Sequence, residues 1–272
     1  MRLKNVQLNK YWDQFTMEWR PNSHSNDLLA RHKRETHLRL VARWAEVTNN
    51  LKILKTDLFE EAFGSDQFLF DLAEVSNDSI GIDISWEISS RARKNAKHYG
   101  LDISNYICCD VRRLPLRNDS IDLIISNSTL DHFPDEADII AALRELRRVL
   151  RIDGILIITM DNKSNITYPP YMFVRLWMLL GLASYFIGRT LSAKELRHAL
   201  GELGFRVEES AAIIHYPYPL ALVRGVERFL CWLGRGRFDS AVIKSLAFLD
   251  KLDGKRVQYL TGRYVTVKAV KV

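Results

Sequence analysis

Apolar runs alternate with amphipathic segments along most of this chain. The runs are bounded by Gly, Asp, Asn or Ser, a pattern that predicts short strands separated by turns. Seven such strands are predicted, at residues 51–58, 79–84, 105–110, 121–127, 155–160, 205–214 and 262–272. Because strands that alternate with helices usually pair in parallel, the pattern predicts an α/β fold with a mostly parallel sheet and helices on both faces.

The helices between these strands carry start and stop signals. Ser85 is predicted to cap the helix after the second strand, and Gly100 to end it. Before the sixth strand, Ser192 and Glu195 have the spacing of a capping box, and Gly204 is predicted to end that helix. The local signals therefore agree with the order of elements that the apolar pattern predicts.

The composition is that of an ordinary globular protein, with 47% apolar and 26% charged residues in a chain of 272. The three cysteines have neither a disulfide nor a zinc pattern, and no metal site is predicted. The amino-terminal residues lack the apolar core of a secretory signal, and Arg175 interrupts the longest apolar run. These features favour a cytoplasmic protein whose contact with membranes, where it occurs, is peripheral.

Charge is unevenly distributed along the chain. Residues 1–50 contain nine Lys and Arg against five Asp and Glu, and residues 223–272 contain eleven against four, whereas residues 51–222 have a balance of −5. Solvated helix faces explain part of this excess, but its restriction to the flanks favours an anionic partner. A small-molecule or amphiphilic substrate and a peripheral membrane contact fit it better than nucleic acid, because no RNA-binding module is evident.

Small polar residues follow the fourth predicted strand. Asn127, Ser128, Asp131 and His132 come directly after the apolar run that ends at Ser126. Ligands of parallel sheets bind at the carboxyl ends of the strands. These side chains are therefore predicted to face a ligand.

Residues 50–214 and the last strand resemble the class I S-adenosylmethionine (SAM) dependent methyltransferases, in the broad group that includes the quinone C-methyltransferases. The resemblance rests on passages in the order expected for the family: Ile-Gly-Ile-Asp83-Ile84, then Cys-Cys-Asp110-Val111-Arg-Arg-Leu-Pro-Leu-Arg-Asn-Asp-Ser-Ile-Asp122, then Arg144-Glu-Leu-Arg-Arg-Val-Leu-Arg-Ile-Asp-Gly154. It implies a Rossmann-like sheet with helical lid insertions and SAM as the cofactor. The implied organisation is a helical cap at residues 1–50, a SAM-binding core at 51–162, and lid insertions with the last two strands at 163–272.

The resemblance also assigns residues to the cofactor. In this family an acidic residue at the end of the second strand binds the ribose hydroxyls, and one at the end of the third strand lies near the adenine amino group. Asp83 and Asp110 match these two places, and cofactor contacts are expected at Ile84, Val111 and Asn127 as well. A carboxylate suits the ribose because it accepts two hydroxyl hydrogen bonds with good geometry.

The glycine-rich loop of the family is missing after the first strand. Where the family has Asp-x-Gly-x-Gly-x-Gly, this chain reads Asp57-Leu-Phe-Glu60-Glu61-Ala-Phe-Gly64. Phe and Glu adopt positive φ only at a cost, so the loop must follow another path. Either Asp57, Glu60 or Glu61 meets the methionyl ammonium or the ribose in a rebuilt loop, or SAM binding is lost. We favour the rebuilt loop, although acids at a solvated helix N-terminus would explain Glu60 and Glu61 equally simply.

His132 is the candidate general base, which would take a proton from the attacking oxygen or nitrogen of the acceptor. Asp131 would orient it. The alternative for His132 is a packing or helix-capping role. Asp161 and Asn162 lie just past the fifth strand at the rim of the predicted site, and His215 is a weaker candidate after the sixth.

Two insertions, residues 163–190 and 215–261, are expected to select the acceptor because they combine apolar stripes with arginines. The leading prediction is a SAM-dependent methyltransferase acting on a small-molecule or lipid-like acceptor. One alternative is a non-catalytic SAM-fold binding protein, prompted by the missing glycines. A less favoured one is an RNA methyltransferase, prompted by the basic flanks. The acceptor, the methylated atom and the oligomeric state stay open.

Overall fold

The strands form one seven-stranded sheet. The structure, a computed structural model, describes residues 8–18, 24–64, 67–76, 78–102, 105–180, 186–216 and 239–272. The strands are β1 (Lys52–Thr56), β2 (Asp78–Asp83), β3 (Tyr106–Cys108), β4 (Ile121–Asn127), β5 (Leu150–Asp161), β6 (Phe205–Ile213) and β7 (Tyr264–Lys271). Their order is β3-β2-β1-β4-β5-β7-β6, in which β7 runs opposite to the other six strands. The predicted Rossmann-like α/β fold is confirmed.

Helices lie on both faces of this sheet. They are α1 (Leu8–Glu18), α2 (His24–Trp44), α3 (Phe59–Phe63), α4 (Phe68–Val75), α5 (Trp86–His98), α6 (Glu136–Val149), α7 (Tyr171–Leu179), α8 (Ala193–Glu202), α9 (Asp239–Leu249) and α10 (Gln258–Thr261). Along β4, Ile124 packs in one apolar cluster with α6 and α8, while Leu123 and Ile125 pack in another with α2 and α4. Alternate strand residues point to opposite faces, so both faces are covered.

The predicted helix signals are present. The Ser85 hydroxyl accepts a hydrogen bond from the Ile88 amide at 3.2 Å at the start of α5. Ser192 and Glu195 form a capping box at the start of α8. Gly100 and Gly204, which follow α5 and α8, have φ angles of 73° and 77°. These left-handed conformations favour glycine, which is why the two helices end where the sequence predicts.

β5 begins earlier than predicted, at Leu150. The register between β4 and β5 shifts, so that Leu150 pairs with Ile121 before the regular ladder starts with Leu123 and Ile155. Asp153 has a φ of 59° within this irregular stretch. The turn predicted near Gly154 is therefore an irregularity inside the strand rather than its boundary.

The amino-terminal helices contribute to different parts of the molecule. α1 places Trp12 at the carboxyl edge of the sheet, whereas α2 buries Trp44 in the apolar cluster against β1. Trp19 lies outside the described residues, as does the part of the second insertion between residues 217 and 238. In the described part of the chain, no helix combines the length and apolar character needed to cross a membrane.

Candidate active site

A cavity of about 270 Å³ lies at the carboxyl edge of the sheet. Its walls are the ends of β1, β2 and β5, the residues after β3 and β4, the first residue of β7, and side chains of α1, α2, α3 and α5. Ser128 lines it, and of the ten residues predicted for cofactor binding and catalysis seven do so too: Asp57, Glu60, Asp83, Ile84, Asp110, Val111 and His132. Three are not part of its wall: Glu61, Asn127 and Asp131. The topology therefore brings together side chains from positions 57 to 132, as the strand-end argument predicts.

Asp83 ends β2, and its carboxylate fixes the two loops beside it. Oδ2 accepts a hydrogen bond from the Leu58 amide at 3.0 Å, and Oδ1 accepts one from the Ser85 amide at 2.8 Å. Burial, followed by the nearby charge of Asp57, raises the pKa of Asp83 to about 7. A cation bound beside Asp83 would lower this pKa and favour the carboxylate.

Asp57 makes the turn after β1, at the place of the aspartate that precedes the glycines of the family's loop. Its φ of 75° lies in the left-handed region, which Asp tolerates better than most residues because its side chain can bond to the local backbone. Its Oδ1 accepts a hydrogen bond from the Phe59 amide at 2.7 Å. The chain then enters α3 directly. The loop is therefore rebuilt as a tight aspartate turn followed by a short helix.

Glu60 and Glu61 are neighbours on α3 but point to different places. Glu60 lines the cavity and pairs with Lys33 of α2 at 3.2 Å. Glu61 is fully buried, pairs with Lys55 at 2.8 Å and accepts a hydrogen bond from the Leu69 amide at 3.0 Å. The prediction that Glu61 contacts the cofactor is wrong, because its carboxylate is part of a core ion pair.

Asp110 follows β3 and is held by Arg112. The guanidinium donates to both carboxylate oxygens, at 2.6 Å in its shortest contact, and also donates to Asp138 at 2.6 Å. The hydrogen bonds that Arg112 donates to Asp110 raise the pKa of Arg112 above its ordinary range. Ile84 and Val111 flank the strand ends as apolar wall residues. Asp110 is therefore a fixed acceptor at the edge of the cavity rather than a mobile charge.

His132 lies in a short 3-10 turn after β4. Its Nδ1 is 3.2 Å from the backbone carbonyl oxygen of Phe186, and its ring packs edge-on against Trp12 with centroids 4.9 Å apart. A carbonyl oxygen can only accept, so Nδ1 is the donor in this hydrogen bond. The neutral ring then carries its lone pair on Nε2, which is the form that a general base requires.

Asp131 does not orient His132. Its Oδ2 accepts hydrogen bonds from the Ser128 hydroxyl at 2.9 Å and the Asp161 amide at 2.8 Å. Asp131 therefore joins the end of β4 to the end of β5. The orienting role that was predicted for Asp131 belongs to the carbonyl of Phe186. Asn127 is buried outside the cavity wall, which corrects its predicted cofactor contact; its Oδ1 has no hydrogen-bond partner among the described residues.

Aromatic residues and one lysine complete the wall. Trp12 and Phe15 project from α1, and the ring of Phe15 lies 6.2 Å from that of Phe59. Their spacing of three residues is the helical signal that places Trp12 and Phe15 on one side of α1. Lys33 is a further wall residue. No feature of the sequence singles it out from the other cations of the basic amino-terminal region.

Of the three remaining candidates, Asn162 and His215 have structural roles. Asp161 lines the cavity, but Asn162 is buried and donates to the backbone carbonyls of Tyr259 and Gly262. His215 bonds to Thr261 and Asp253, both at 2.8 Å, and is not part of the cavity wall. Burial raises the pKa of Cys109 to about 12, so this thiol lines the cavity in its neutral form.

Comparison with known proteins identifies the class of this fold. Residues 60–158 match the model of the methyltransferase domain family. The chain contains a class I SAM-dependent methyltransferase domain. The matched segment runs from α3 into β5 and includes the ends of β2, β3 and β4. This confirms the predicted family and its cofactor, S-adenosyl-L-methionine, whereas the quinone C-methyltransferase group stays a prediction.

Two curated relatives match part of the chain. A protein of Mycolicibacterium smegmatis, described as a "probable S-adenosylmethionine-dependent methyltransferase", is 28% identical over 155 residues, which are 57% of this chain and 52% of that protein. An uncharacterized protein of Methanocaldococcus jannaschii is 29% identical over 126 residues, 43% of this chain and 46% of its own length. The match thus spans about half the length of each relative.

Solved structures share the fold over nearly the whole chain. A SAM-dependent methyltransferase of Thermotoga maritima has a TM-score of 0.61 at 17% identity, covering 97% of this chain and 100% of that one. Geranyl diphosphate C-methyltransferase of Streptomyces coelicolor has a TM-score of 0.58 at 12% identity, covering 93% and 86%. At these identities the likeness shows the fold alone.

The charges of the cavity fit SAM, which carries a sulfonium and an ammonium group. Five carboxylates line it, on Asp57, Glu60, Asp83, Asp110 and Asp161. Among the described wall residues, Lys33 is the only Lys or Arg. An acidic wall of this kind favours a cationic ligand. The donor set therefore suits the cofactor of the family even though the glycine-rich loop is replaced.

Proposed function

We propose that the protein transfers the methyl group of SAM to a small-molecule or lipid-like acceptor. The observation that carries the proposal is the convergence of Asp57, Asp83 and Asp110, from the ends of three adjacent strands, on one cavity beside His132. The methyltransferase domain supports the cofactor. The aromatic wall and the polar base together support an acceptor with an apolar body and a nucleophilic atom.

Each strand end has a separate task toward the cofactor. Asp83 accepts the ribose hydroxyls, and its two amide hydrogen bonds hold it in place for this. Asp110 and Val111 border the adenine, whose amino group shares the Asp110 oxygens with Arg112. Bound SAM supplies an electrophilic methyl group on a sulfonium.

The first motif and α2 hold the methionyl end. Asp57 and Glu60 present carboxylates to the ammonium, while Lys33 presents an ammonium to the carboxylate of the amino acid. The Lys33–Glu60 pair, at 3.2 Å, fixes the two groups at one side of the cavity. An opposed pair of charges of this kind complements a zwitterion better than a glycine-rich loop, which offers amides only.

His132 and the aromatic wall serve the acceptor. Nε2 of His132 takes the proton of an attacking oxygen or nitrogen, and the Phe186 carbonyl keeps the ring in the required tautomer. Trp12, Phe15 and Phe59 exclude water from the reacting atoms. Most of the rate enhancement then comes from holding acceptor and methyl group in line in a dry site, with the base adding to it.

Calorimetry with SAM and a transfer assay test this proposal in sequence. The assay follows the labelled methyl group of SAM into a panel of phenols, amines and prenyl diphosphates. The prenyl diphosphates are included because the Streptomyces coelicolor neighbour is a geranyl diphosphate C-methyltransferase. His132→Gln should keep SAM affinity but reduce turnover by about a hundredfold.

The replacement of the glycine loop favours one alternative, a binding protein without catalysis. That protein would bind SAM or its product with no transfer to any acceptor, and His132→Gln would then change nothing. Absence of SAM binding by the folded wild type would refute both readings. SAM binding with an unchanged rate in the His132→Gln variant would refute only the role of the base.

A further inference from the structure

One face of α7 is apolar and exposed. Met172, Phe173, Leu176 and Leu180 are 71%, 46%, 47% and 61% exposed. At 3.6 residues per turn, these four positions fall within an arc of about 100°. Val174, on the opposite side of the helix, is 1% exposed and belongs to the core. The helix is therefore apolar on two faces, and only one of them packs against the protein.

The segment that carries α7 has cations and no acids. Between Asp161 and Glu195 the sequence contains Lys163, Arg175, Arg189 and Lys194 but no Asp or Glu. Lys163 pairs with Glu195 at 2.5 Å. Arg175 is exposed on α7 itself, about 60° from the edge of the apolar arc at 3.6 residues per turn. An exposed apolar face that is bordered by a cation and lies in a segment without acidic residues is complementary to an anionic interface.

The chain before α7 is bonded to α10, and the chain after it is bonded to His132 of the cavity wall. Before the helix, the Ile166 amide donates to the carbonyl of Leu260 at 2.9 Å, and both side chains are exposed, by 74% and 49%. After it, the Ile187 amide lies 3.4 Å from Sδ of Met178. The preceding residue, Phe186, accepts the hydrogen bond from His132. A surface that binds α7 would thus lie near the acceptor side of the cavity.

We infer that the exposed face of α7 docks the protein on the surface of an anionic lipid membrane. The four apolar side chains enter the interface, and Arg175, which borders them on α7, is attracted to the lipid phosphates. A second copy of the chain is a poorer occupant, because a symmetric contact would bring the same cations of both copies together. Docking requires neither SAM nor an acceptor, so it can fail or succeed independently of methyl transfer.

Vesicle co-sedimentation tests the docking. Vesicles of phosphatidylglycerol mixed with phosphatidylcholine are compared with vesicles of phosphatidylcholine alone, in low and high salt. The wild type should bind the anionic vesicles and be released by salt. The variant Met172→Ser/Phe173→Ser/Leu176→Ser should bind at least roughly tenfold more weakly, and Arg175→Gln about fivefold more weakly.

Ile152→Ser is the matched control, because Ile152 is 66% exposed near the amino end of β5, away from the carboxyl edge. It should bind vesicles as the wild type does. Circular dichroism and sedimentation velocity on every variant establish folding and oligomeric state. Equal binding by wild type and triple variant would overturn the inference. So would no vesicle binding by the wild type, or a wild-type dimer that the triple variant converts to monomer.

Discussion

The carboxyl end of β1 has a core side and a cavity side, and the acids on the two sides are held differently. On the core side, Glu61 has no exposed surface and is paired with Lys55 at 2.8 Å. On the cavity side, Glu60 pairs with Lys33 at 3.2 Å while its side chain is 22% exposed. Asp83 also lies on the cavity side, where its carboxylate accepts hydrogen bonds from two amides. Core-side charge fixes α3 to the sheet, and cavity-side charge is left for a ligand.

The strongest test of this comparison is Glu61→Gln. The amide keeps the shape of the side chain but removes the carboxylate that is paired with the buried Lys55, which should lower the free energy of unfolding by about 3–5 kcal/mol. Chemical denaturation measures the change. SAM affinity, measured where the variant is folded, should stay near the wild-type value.

Glu87→Gln is the matched control, because Glu87 pairs with Arg91 at 2.7 Å on the partly exposed surface of α5. It should cost less than about 1 kcal/mol. If the two variants lower the free energy of unfolding by the same amount, the core-side pair contributes no more to holding α3 than a surface pair does. A large loss of SAM affinity in folded Glu61→Gln would contradict the claim that Glu61 acts only in the core and not on the ligand.

Next in size is Asp83→Ala, which removes the proposed ribose acceptor. SAM affinity should fall by about 1–3 kcal/mol, or roughly fivefold to 150-fold. Calorimetry measures the affinity, and circular dichroism checks that the amides of Leu58 and Ser85 can lose their acceptor without loss of the fold. Asp78→Ala, at the other end of β2, is the control and should bind SAM normally. An unchanged affinity in folded Asp83→Ala would place the ribose elsewhere.

The same region shows what could be predicted from sequence. The strand ends are encoded locally, by apolar runs that stop at Asp83 and Asn127, so the positions of the site residues followed from the fold. Which way a side chain points depends on its tertiary partner. Glu60 and Glu61 are the same residue type. They point in different directions because Glu61 pairs with the buried Lys55 of the core, whereas Glu60 pairs with Lys33 at the cavity. Sequence pattern contains no such information.

The acceptor side was harder to predict for the same reason. The orienting partner of His132 is the backbone carbonyl of Phe186, 54 residues away, and a carbonyl has no signature in the sequence. Asp131 was favoured because it is adjacent in sequence, yet its bonds to Ser128 and Asp161 hold it elsewhere. Lys33 lines the cavity because of how α2 packs on the sheet. Apolar periodicity predicts which face of a helix is buried, but it does not predict which cation of that helix faces a cavity.

The pH dependence of SAM binding sharpens the comparison further. Because SAM is cationic, it binds best when Asp83 is ionised, and the pKa of Asp83 is raised to about 7 by burial and Asp57. SAM affinity should therefore fall as pH drops through about 7. Well below this pH, where most of Asp83 is protonated, it should fall by at most roughly tenfold for each pH unit. Calorimetry in buffers of different ionisation enthalpy should show proton release on binding near neutral pH. Asp83→Ala should lack both effects.

The same raised pKa makes a prediction for stability with a defined sign. The folded protein binds the Asp83 proton more tightly than the unfolded chain, where an aspartate titrates near 3.9. The stability from this proton is fully present below about 4 and is lost as pH rises through about 7. Thermal unfolding should show this loss in the wild type and less of it in Asp83→Ala. Equal pH profiles in the two proteins would mean that Asp83 is ionised throughout.

The smallest expected effect is at the partly buried pair on the cavity side, Lys33 and Glu60. Each alanine substitution should weaken SAM binding by about 0.5–1 kcal/mol, and the double variant by less than the sum, because the two groups act together. Stability should change by less than about 1 kcal/mol in each. The matched pair is Asp71 and Arg34, the residue that follows Lys33 on α2. Arg34 donates to Asp71 at 2.7 Å, and neither residue is part of the cavity wall. Alanine there should cost similar stability and leave SAM affinity unchanged. If both pairs leave it unchanged, Glu60 acts as an acid at a helix N-terminus and the methionyl group is held by Asp57 and backbone amides.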